Sequence, residues 1–258
     1  MRIMKTEILK TLTERRRAGL KSFALLIDPD KIQDSGRLLK LINIAVENKV
    51  DFVFIGGSLL TGDNMHQVIE LVKHNSQLPV VLFPGSTMHI DVSADAVLFL
   101  SLISGRNPDL LIGQQVIAAP ILKRSNLEIL PTGYMLVDSD NKTTVSYMSN
   151  TVPIPANKSS VAVCTAMAGE MLGLKLIYMD AGSGAKFPIH PKMIASVRRA
   201  IDIPLIVGGG INSVEKALSS LKAGADMLVV GNGIEQNPNL LIEVSEAINH
   251  LNQTLDVH

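Results

Sequence analysis

Tryptophan is absent from this chain, cysteine occurs once, and only three tyrosines and six phenylalanines are present. One cysteine closes no internal disulfide, so the fold does not call for an oxidising compartment. Charge of one sign is missing too: 24 Lys and Arg face 24 Asp and Glu. A general nucleic-acid binder would normally carry a basic excess, so that class is set aside. No apolar run approaches the ~20 residues of a membrane-spanning helix. The N-terminal MRIMKTEILKTLTERRR lacks the continuous apolar core of a signal peptide. These absences lead to an expected cytoplasmic protein. No linker, short repeat or low-complexity tract divides the 258 residues, so 1–258 is expected to be a single domain.

What is present is a repeated alternation. Hydrophobic residues make up 47% of the chain, and they fall into short strand-like runs separated by helix-like stripes. An amphipathic helix is expected over 4–18, with Ile8, Leu9 and Leu12 on one face. Arg15, Arg16 and Arg17 end it, either as a solvated helix terminus or as a contact for phospholipid or an acidic partner. Strands are expected at 23–27, 51–55, 80–83, 96–100, 127–137 and 174–180, followed by two more that open the stretches 203–218 and 225–238, each ending in a Gly-rich turn. Leu38, Leu39, Leu41, Ile42, Ala45 and Val46 stripe the helix after the first strand. Asp63, Asn107 with Pro108, Pro191, Asn212 with Glu215, and Asn237-Pro238 read as helix starts. Pro131-Thr132-Gly133 is expected to make the fifth strand irregular. Cys164 is expected in the core of the helix near 160–172. Eight strands alternating with helices imply a closed parallel barrel or a doubly wound open sheet, and length, strand count and the late Gly-rich turns favour a closed (β/α)8 barrel. The dozen residues between the third and fourth strands are too few for a full crossover helix. The third outer helix is therefore expected to be missing or replaced by an extended segment. The polar stretch 138–158 is either a functional flap or disordered.

In such a barrel the active site lies at the C-terminal strand ends. Three late turns are glycine-rich, at 182–184, 208–210 and 231–233. Backbone amides of Gly182, Ser183, Gly184, Gly209, Gly210, Gly231 and Asn232 suit a phosphate cup. Asp28 closes an apolar strand, either as a turn former before Pro29 or as a Mg2+ ligand with Ser58. Arg106 is a candidate diphosphate partner on the rim. Asp180 is a candidate to accept a hydroxyl proton. No His/Cys cluster has zinc spacing. No histidine sits beside a strand end with an acidic partner, and His190 reads as a helix cap. No G-x-S-x-G elbow or G-x-G-x-x-G dinucleotide turn occurs. From these residues alone a transferase, a sugar-phosphate isomerase or lyase, and a non-catalytic phosphate- or lipid-binding protein all remain open.

A longer set of motifs narrows this. LLIDPDK (25–31), FIGGS (54–58), LFPGS (82–86), SGRNPDLLIG (104–113), PTGYML (131–136), YMDAGSGA (178–185), VGGGI (207–211) and VVGN (229–232) together resemble the geranylgeranylglyceryl phosphate synthases and their heptaprenylglyceryl relatives. The resemblance implies a barrel whose third helix is replaced. It implies Mg2+-dependent transfer of a prenyl group, with geranylgeranyl expected, from its diphosphate to the 3-hydroxyl of sn-glycerol 1-phosphate. That reaction begins ether phospholipid synthesis. By the same resemblance Tyr178, Met179, Asp180, Ala181, Gly182, Ser183, Gly184, Gly209, Gly210, Gly231 and Asn232 hold glycerol 1-phosphate, and Asp28 and Ser58 hold Mg2+. Asp28, Arg106 and Asp180 carry the chemistry. A homo-oligomer, dimer or hexamer, and a transient membrane-surface contact for the lipid product are implied as well. Two positions depart from the pattern: many members have Glu at the place of Asp180, and some have Lys at the place of Leu26.

Overall fold

Side chains alternate along each apolar run, and that alternation sorts the core into two shells. Ala24, Phe54, Val81, Leu98, Leu130 and Ile206 fill an inner shell. Their sequence neighbours Leu25, Ile55, Leu82, Val97, Ile129 and Val207 pack outward against helices. The computed structural model describes residues 7–32, 34–140 and 143–254. Its eight strands are β1 (Ser22–Ile27), β2 (Phe52–Gly57), β3 (Val80–Pro84), β4 (Ala96–Leu102), β5 (Glu128–Leu136), β6 (Leu176–Asp180), β7 (Leu205–Gly208) and β8 (Met227–Val230). They run parallel in sequence order and close into a barrel, with Ser22 of β1 in register with Met227 of β8. The expected fold class holds.

The helices are α1 (Ile8–Arg17), α2 (Ser35–Glu47), α3 (Met65–Asn75), α4 (Gln114–Arg124) and α5 (Thr144–Ser149), then α6 (Ser159–Met171), α7 (Pro191–Arg198), α8 (Val214–Lys222), α9 (Asn232–Gln236) and α10 (Asn239–Gln253). Between β3 and β4 there is one 3-10 turn, Thr87–His89, where a full outer helix would stand. The expectation from the short gap is met.

Helix α1 plugs the floor of the barrel. Ile8 and Leu12 join the inner shell, and the Glu128 carboxylate accepts the amides of Ile8 (2.7 Å) and Leu9 (2.9 Å). That carboxylate fills the place of a missing N-cap. Residues 4–6 of the expected helix lie outside the described ones. The arginine run corrects its sequence reading. Arg15 pairs with Asp51 at 3.2 Å and Arg16 with Asp202 at 3.5 Å, both under the floor, and only Arg17 is fully exposed.

Other local expectations shift for identifiable reasons. The buried stripe of α2 is Leu38, Ile42 and Ala45, a seven-residue repeat that leaves Val46 44% exposed. Cys164 is exposed, because apolar residues surround most of α6 and do not single out one face. Asn64, not Asp63, occupies the cap position of α3 and makes no side-chain cap bond. Ser213 caps α8 in place of Asn212, its hydroxyl accepting the Lys216 amide. Pro131-Thr132-Gly133 runs regularly, in register with Phe99, Leu100 and Ser101 of β4. Asn107 does cap as expected, accepting the Asp109 amide at 3.1 Å, but the chain enters α4 through a π turn, Asp109–Gly113. His190 caps α7 as expected.

Candidate active site

The C-terminal mouth of the barrel opens into a cavity of about 440 Å³. Its lining combines three chemistries. Gly182, Ser183, Gly184, Gly209, Gly210, Gly231 and Asn232 form one wall, Asp28 and Ser58 stand in another, and Leu98, Leu100, Leu102, Leu110, Ala118 and Leu122 form an apolar arm reaching from β4 under α4.

The glycine wall is built by backbone. Gly209 has φ +82°, and a Cβ there would fall 2.7 Å from Asp180 Oδ1 and 2.8 Å from the amide of Gly182. Any other residue would close the turn. Asn232 reaches across from β8 and donates to Ser183 Oγ at 3.2 Å. Lys31, on the turn after β1, donates to Asn232 Oδ1 and to Glu235, each at 2.8 Å. Its ammonium also lies 3.7 Å from Asp28. The cup is thereby tied to the acidic side of the mouth.

Asp28 is half-buried, accepts the Asp30 amide at 3.1 Å, and caps the short turn Pro29–Lys31. Burial raises its proton affinity, with Lys31 and the Asp30 amide opposing. Asp30 faces elsewhere, accepting Thr61 N (2.6 Å) and Gly62 N (3.0 Å), so its carboxylate pins the loop after β2. Those amides draw its pKa down.

Tyr178 and Asp180 are even-numbered inward positions of β6, and Asp180 is only 7% exposed. Tyr134 of β5 donates its hydroxyl to Asp180 Oδ2 at 2.5 Å, and Gly182 N donates to Oδ1 at 2.8 Å. Burial raises the Asp180 pKa despite both bonds, and burial raises those of Tyr134 and Tyr178 further still above the ordinary tyrosine value. Phe83 stacks on Tyr178 at 5.1 Å, and Tyr134 lies 5.9 Å from Phe83. Four of the chain's few aromatics, Phe54 included, meet here. Met179 and Ala181 point the other way, into the outer shell, so only their backbone can serve a ligand. Arg106 is exposed and donates to the carbonyls of Gly105 (2.6 Å) and Ile103 (3.4 Å); it does not line the cavity.

The stretch 138–158 is ordered over its described part. Thr143 and Ser146 form a reciprocal capping box at the start of α5. Thr144, Val145 and Met148 line the cavity, and Asn107 Nδ2 holds the end of α5 through Ser149 O at 2.9 Å. The flap reading is the one that fits; 141 and 142 lie outside the described residues.

A family model described as the PcrB family matches residues 13–250. The chain belongs to the PcrB family. The relatives of this PcrB-family barrel include a geranylgeranylglyceryl phosphate synthase of Spirosoma linguale, 55% identical and matched over 95% of this chain and 98% of that protein. One of Chitinophaga pinensis is 49% identical over 95% of this chain and 97% of that protein. Among solved structures, (S)-3-O-geranylgeranylglyceryl phosphate synthase from Thermoplasma acidophilum, in complex with its substrate sn-glycerol-1-phosphate, superposes with a TM-score of 0.88 at 30% identity. That match covers 95% of this chain and 99% of the other. The resemblance read from the motifs therefore holds.

Three cavity-edge residues escaped assignment from the sequence. Lys31 sits inside the LLIDPDK motif but offered no sign of reaching across to Asn232. Phe83 looked like an ordinary strand end. His89 lines the cavity because the 3-10 turn that replaces a helix carries it inward. A histidine on a loop gave no such signal.

Proposed function

We propose that this PcrB-family chain is a geranylgeranylglyceryl phosphate synthase, joining the 3-hydroxyl of sn-glycerol 1-phosphate to C1 of geranylgeranyl diphosphate with release of diphosphate. The observation that carries the reading is the single cavity joining a backbone phosphate cup, an acidic wall and an apolar arm. A sugar-phosphate isomerase or lyase needs the cup alone, and a non-catalytic binder needs no buried carboxylate beside it.

Glycerol 1-phosphate sits with its phosphate on the amides of Ser183, Gly184, Gly209, Gly210 and Asn232, the Gly182 amide being held by Asp180 Oδ1, and Lys31 adds charge at the rim. Its hydroxyl meets Asp180, whose two oxygens each use one lone pair on Tyr134 or Gly182 and keep another free. As the C1–O bond of the prenyl diphosphate breaks, the glycerol oxygen bonds to C1 and its proton passes to the Asp180 carboxylate. The electron pair of the broken bond leaves on diphosphate. The prenyl chain runs along Leu98, Leu102, Leu110, Ala118 and Leu122 beneath α4.

The charge of the lining supports a divalent counter-ion. Among the described residues the cavity is lined by the carboxylates of Asp28, Asp180 and Glu235 and by no Lys or Arg. No cluster of three or more His, Cys, Asp or Glu suited to an all-protein metal cage occurs among them. One carboxylate with a hydroxyl, Asp28 with Ser58, suits Mg2+, which keeps waters and takes substrate phosphate oxygens. Bound there, the ion would neutralise charge on the leaving diphosphate. Arg106 acts there only if its loop turns inward. We also infer a homo-oligomer, whose contact would cover the exposed aliphatic face Ile112, Val116, Ile117 and Ile121. Val116→Lys with Ile117→Lys should then lower the mass seen in sedimentation; an unchanged mass rules that face out.

The deciding experiment supplies sn-glycerol 1-phosphate, geranylgeranyl diphosphate and Mg2+ and measures diphosphate and ether product together. Stoichiometric release of both is expected. No release, with turnover of a sugar phosphate instead, would overturn the assignment.

A further inference from the structure

The leaving-group side of the mouth has a second polar element besides Asp28 and Ser58. Gly85, on the loop after β3, lies so close to the loop after β2 that a Cβ there would come within 2.5 Å of Gly57 O and 2.7 Å of Ser58 O. The two loops therefore form one surface. His89 is hinged to that surface, since its Nδ1 lies 3.1 Å from the amide of Gly85 and accepts from it. An amide donor requires a lone pair on Nδ1, which leaves the proton on Nε2. The ring lines the cavity, and among the described residues Nε2 has no hydrogen-bond partner. Burial lowers the proton affinity of the ring, with Asp30 opposing, in keeping with this neutral tautomer. The ring's place depends on the 3-10 turn Thr87–His89, whose start is fixed by Ser86 Oγ accepting the Met88 amide at 3.2 Å.

We propose that His89 Nε2–H donates a hydrogen bond to the departing diphosphate, a catalytic contact that rests on the transferase reading above. The balance of the step is unchanged. The C1–O electron pair goes to a diphosphate oxygen, the glycerol proton goes to Asp180, and His89 gains and loses no proton. It serves as a pre-positioned donor where negative charge grows, in a lining that among the described residues holds no Lys or Arg.

Two substitutions separate this role from loop support. His89→Asn keeps an acceptor near the Nδ1 position and removes the donor at Nε2. His89→Gln carries an amide NH2 out to about the Nε2 position and gives up the Nδ1 acceptor. The measurement is diphosphate release from geranylgeranyl diphosphate and sn-glycerol 1-phosphate with Mg2+, together with inhibition by inorganic diphosphate. Loss of a donor to a charged group predicts a fall in kcat on the order of 10- to 100-fold in His89→Asn, with KM for glycerol phosphate unchanged. His89→Gln should lose far less. Inhibition by inorganic diphosphate should weaken in the Asn variant and persist in the Gln variant. Should His89→Asn turn over like the parent chain, or His89→Gln fail as badly as Asn, the donor role is wrong and the ring only holds Gly85. If either variant misfolds by thermal melt, His89→Leu decides through inhibition alone: an undiminished diphosphate inhibition overturns the proposal. A parent chain that releases no diphosphate sinks the transferase reading itself, and this inference with it.

Discussion

Asp180 is a carboxyl held where burial disfavours its charge, and a linkage follows from that. Its pKa is raised in the fold, so the folded chain binds the proton more tightly than the unfolded chain. The stability this group contributes is complete below the ordinary carboxyl value and is lost as pH rises through the raised value. Asp180→Asn removes that slope. Its amide can still accept from Gly182 and donate to the Tyr134 oxygen. Thermal melts from pH 4 to 8 should show the variant gaining Tm over the parent chain as pH rises, while kcat falls by at least ~100-fold, the scale of general-base catalysis. Equal Tm differences at all pH values would mean that the carboxyl is not perturbed. Asp28→Ala makes a different prediction. Turnover should be nearly abolished while glycerol phosphate still binds, because the cup does not use that carboxylate; calorimetry of glycerol phosphate with the variant checks it, and full activity would dismiss Asp28 as a metal ligand. At this scale the sequence was readable where a polar residue interrupts a strand end. Asp28, Ser58 and Asp180 stood out in that way. Tyr134 could be placed at a strand end, but its bond to Asp180 could not, because that bond depends on inward-facing neighbours of β5 and β6.

The N-terminal end of α1 is joined to the barrel floor by one bidentate carboxylate. Glu128 opens β5 and receives two amides of a helix 119–120 residues away in sequence. Glu128→Ala leaves those amides without a protein acceptor while Ile8 and Leu12 stay packed in the inner shell. A loss of roughly 1 kcal/mol is expected, like a lost N-cap, or about 2–4 °C in Tm for a chain of this size. The mouth is at the other end, so kcat should not change; a variant as stable as its parent would show that α1 docks by its apolar side chains alone. Element existence was legible from periodicity and Gly or Pro punctuation, and the six strands given bounds were placed within two residues at both ends. Caps were less legible: Ser213 and Asn212 both suit a helix start, and only chain direction chooses between them. The missing outer helix was legible as a count of residues. Its consequence, a turn that carries His89 to the cavity, was not, because a count says how much chain is present and not where its end points.

Across the whole molecule the mouth divides by strand number. Strands β6 to β8 supply backbone amides, and β1 to β3 supply the Asp28–Ser58 wall and the Gly85 loop, with Lys31 spanning the two through Asn232 and Asp28. The parallel barrel makes this division possible, since all eight strands deliver their ends to one face. The amide side is finished by covalent geometry, with Gly209 locked at positive φ and Asn232 already bonded to Ser183. On the transferase reading, Lys31 is shared between Asp28 and Glu235 and leaves the acidic side net negative, so a divalent cation would be needed for diphosphate to bind there. The two substrates should therefore differ in metal dependence. Chelation with EDTA should leave the Kd of glycerol phosphate within about two-fold, well under the ~1.4 kcal/mol of a ten-fold change. The same treatment should remove measurable binding of inorganic diphosphate. Calorimetric titration of each ligand with and without Mg2+ reads both. If glycerol phosphate binding is lost with the metal, the cup is not preformed and the two sides of the mouth act as one site.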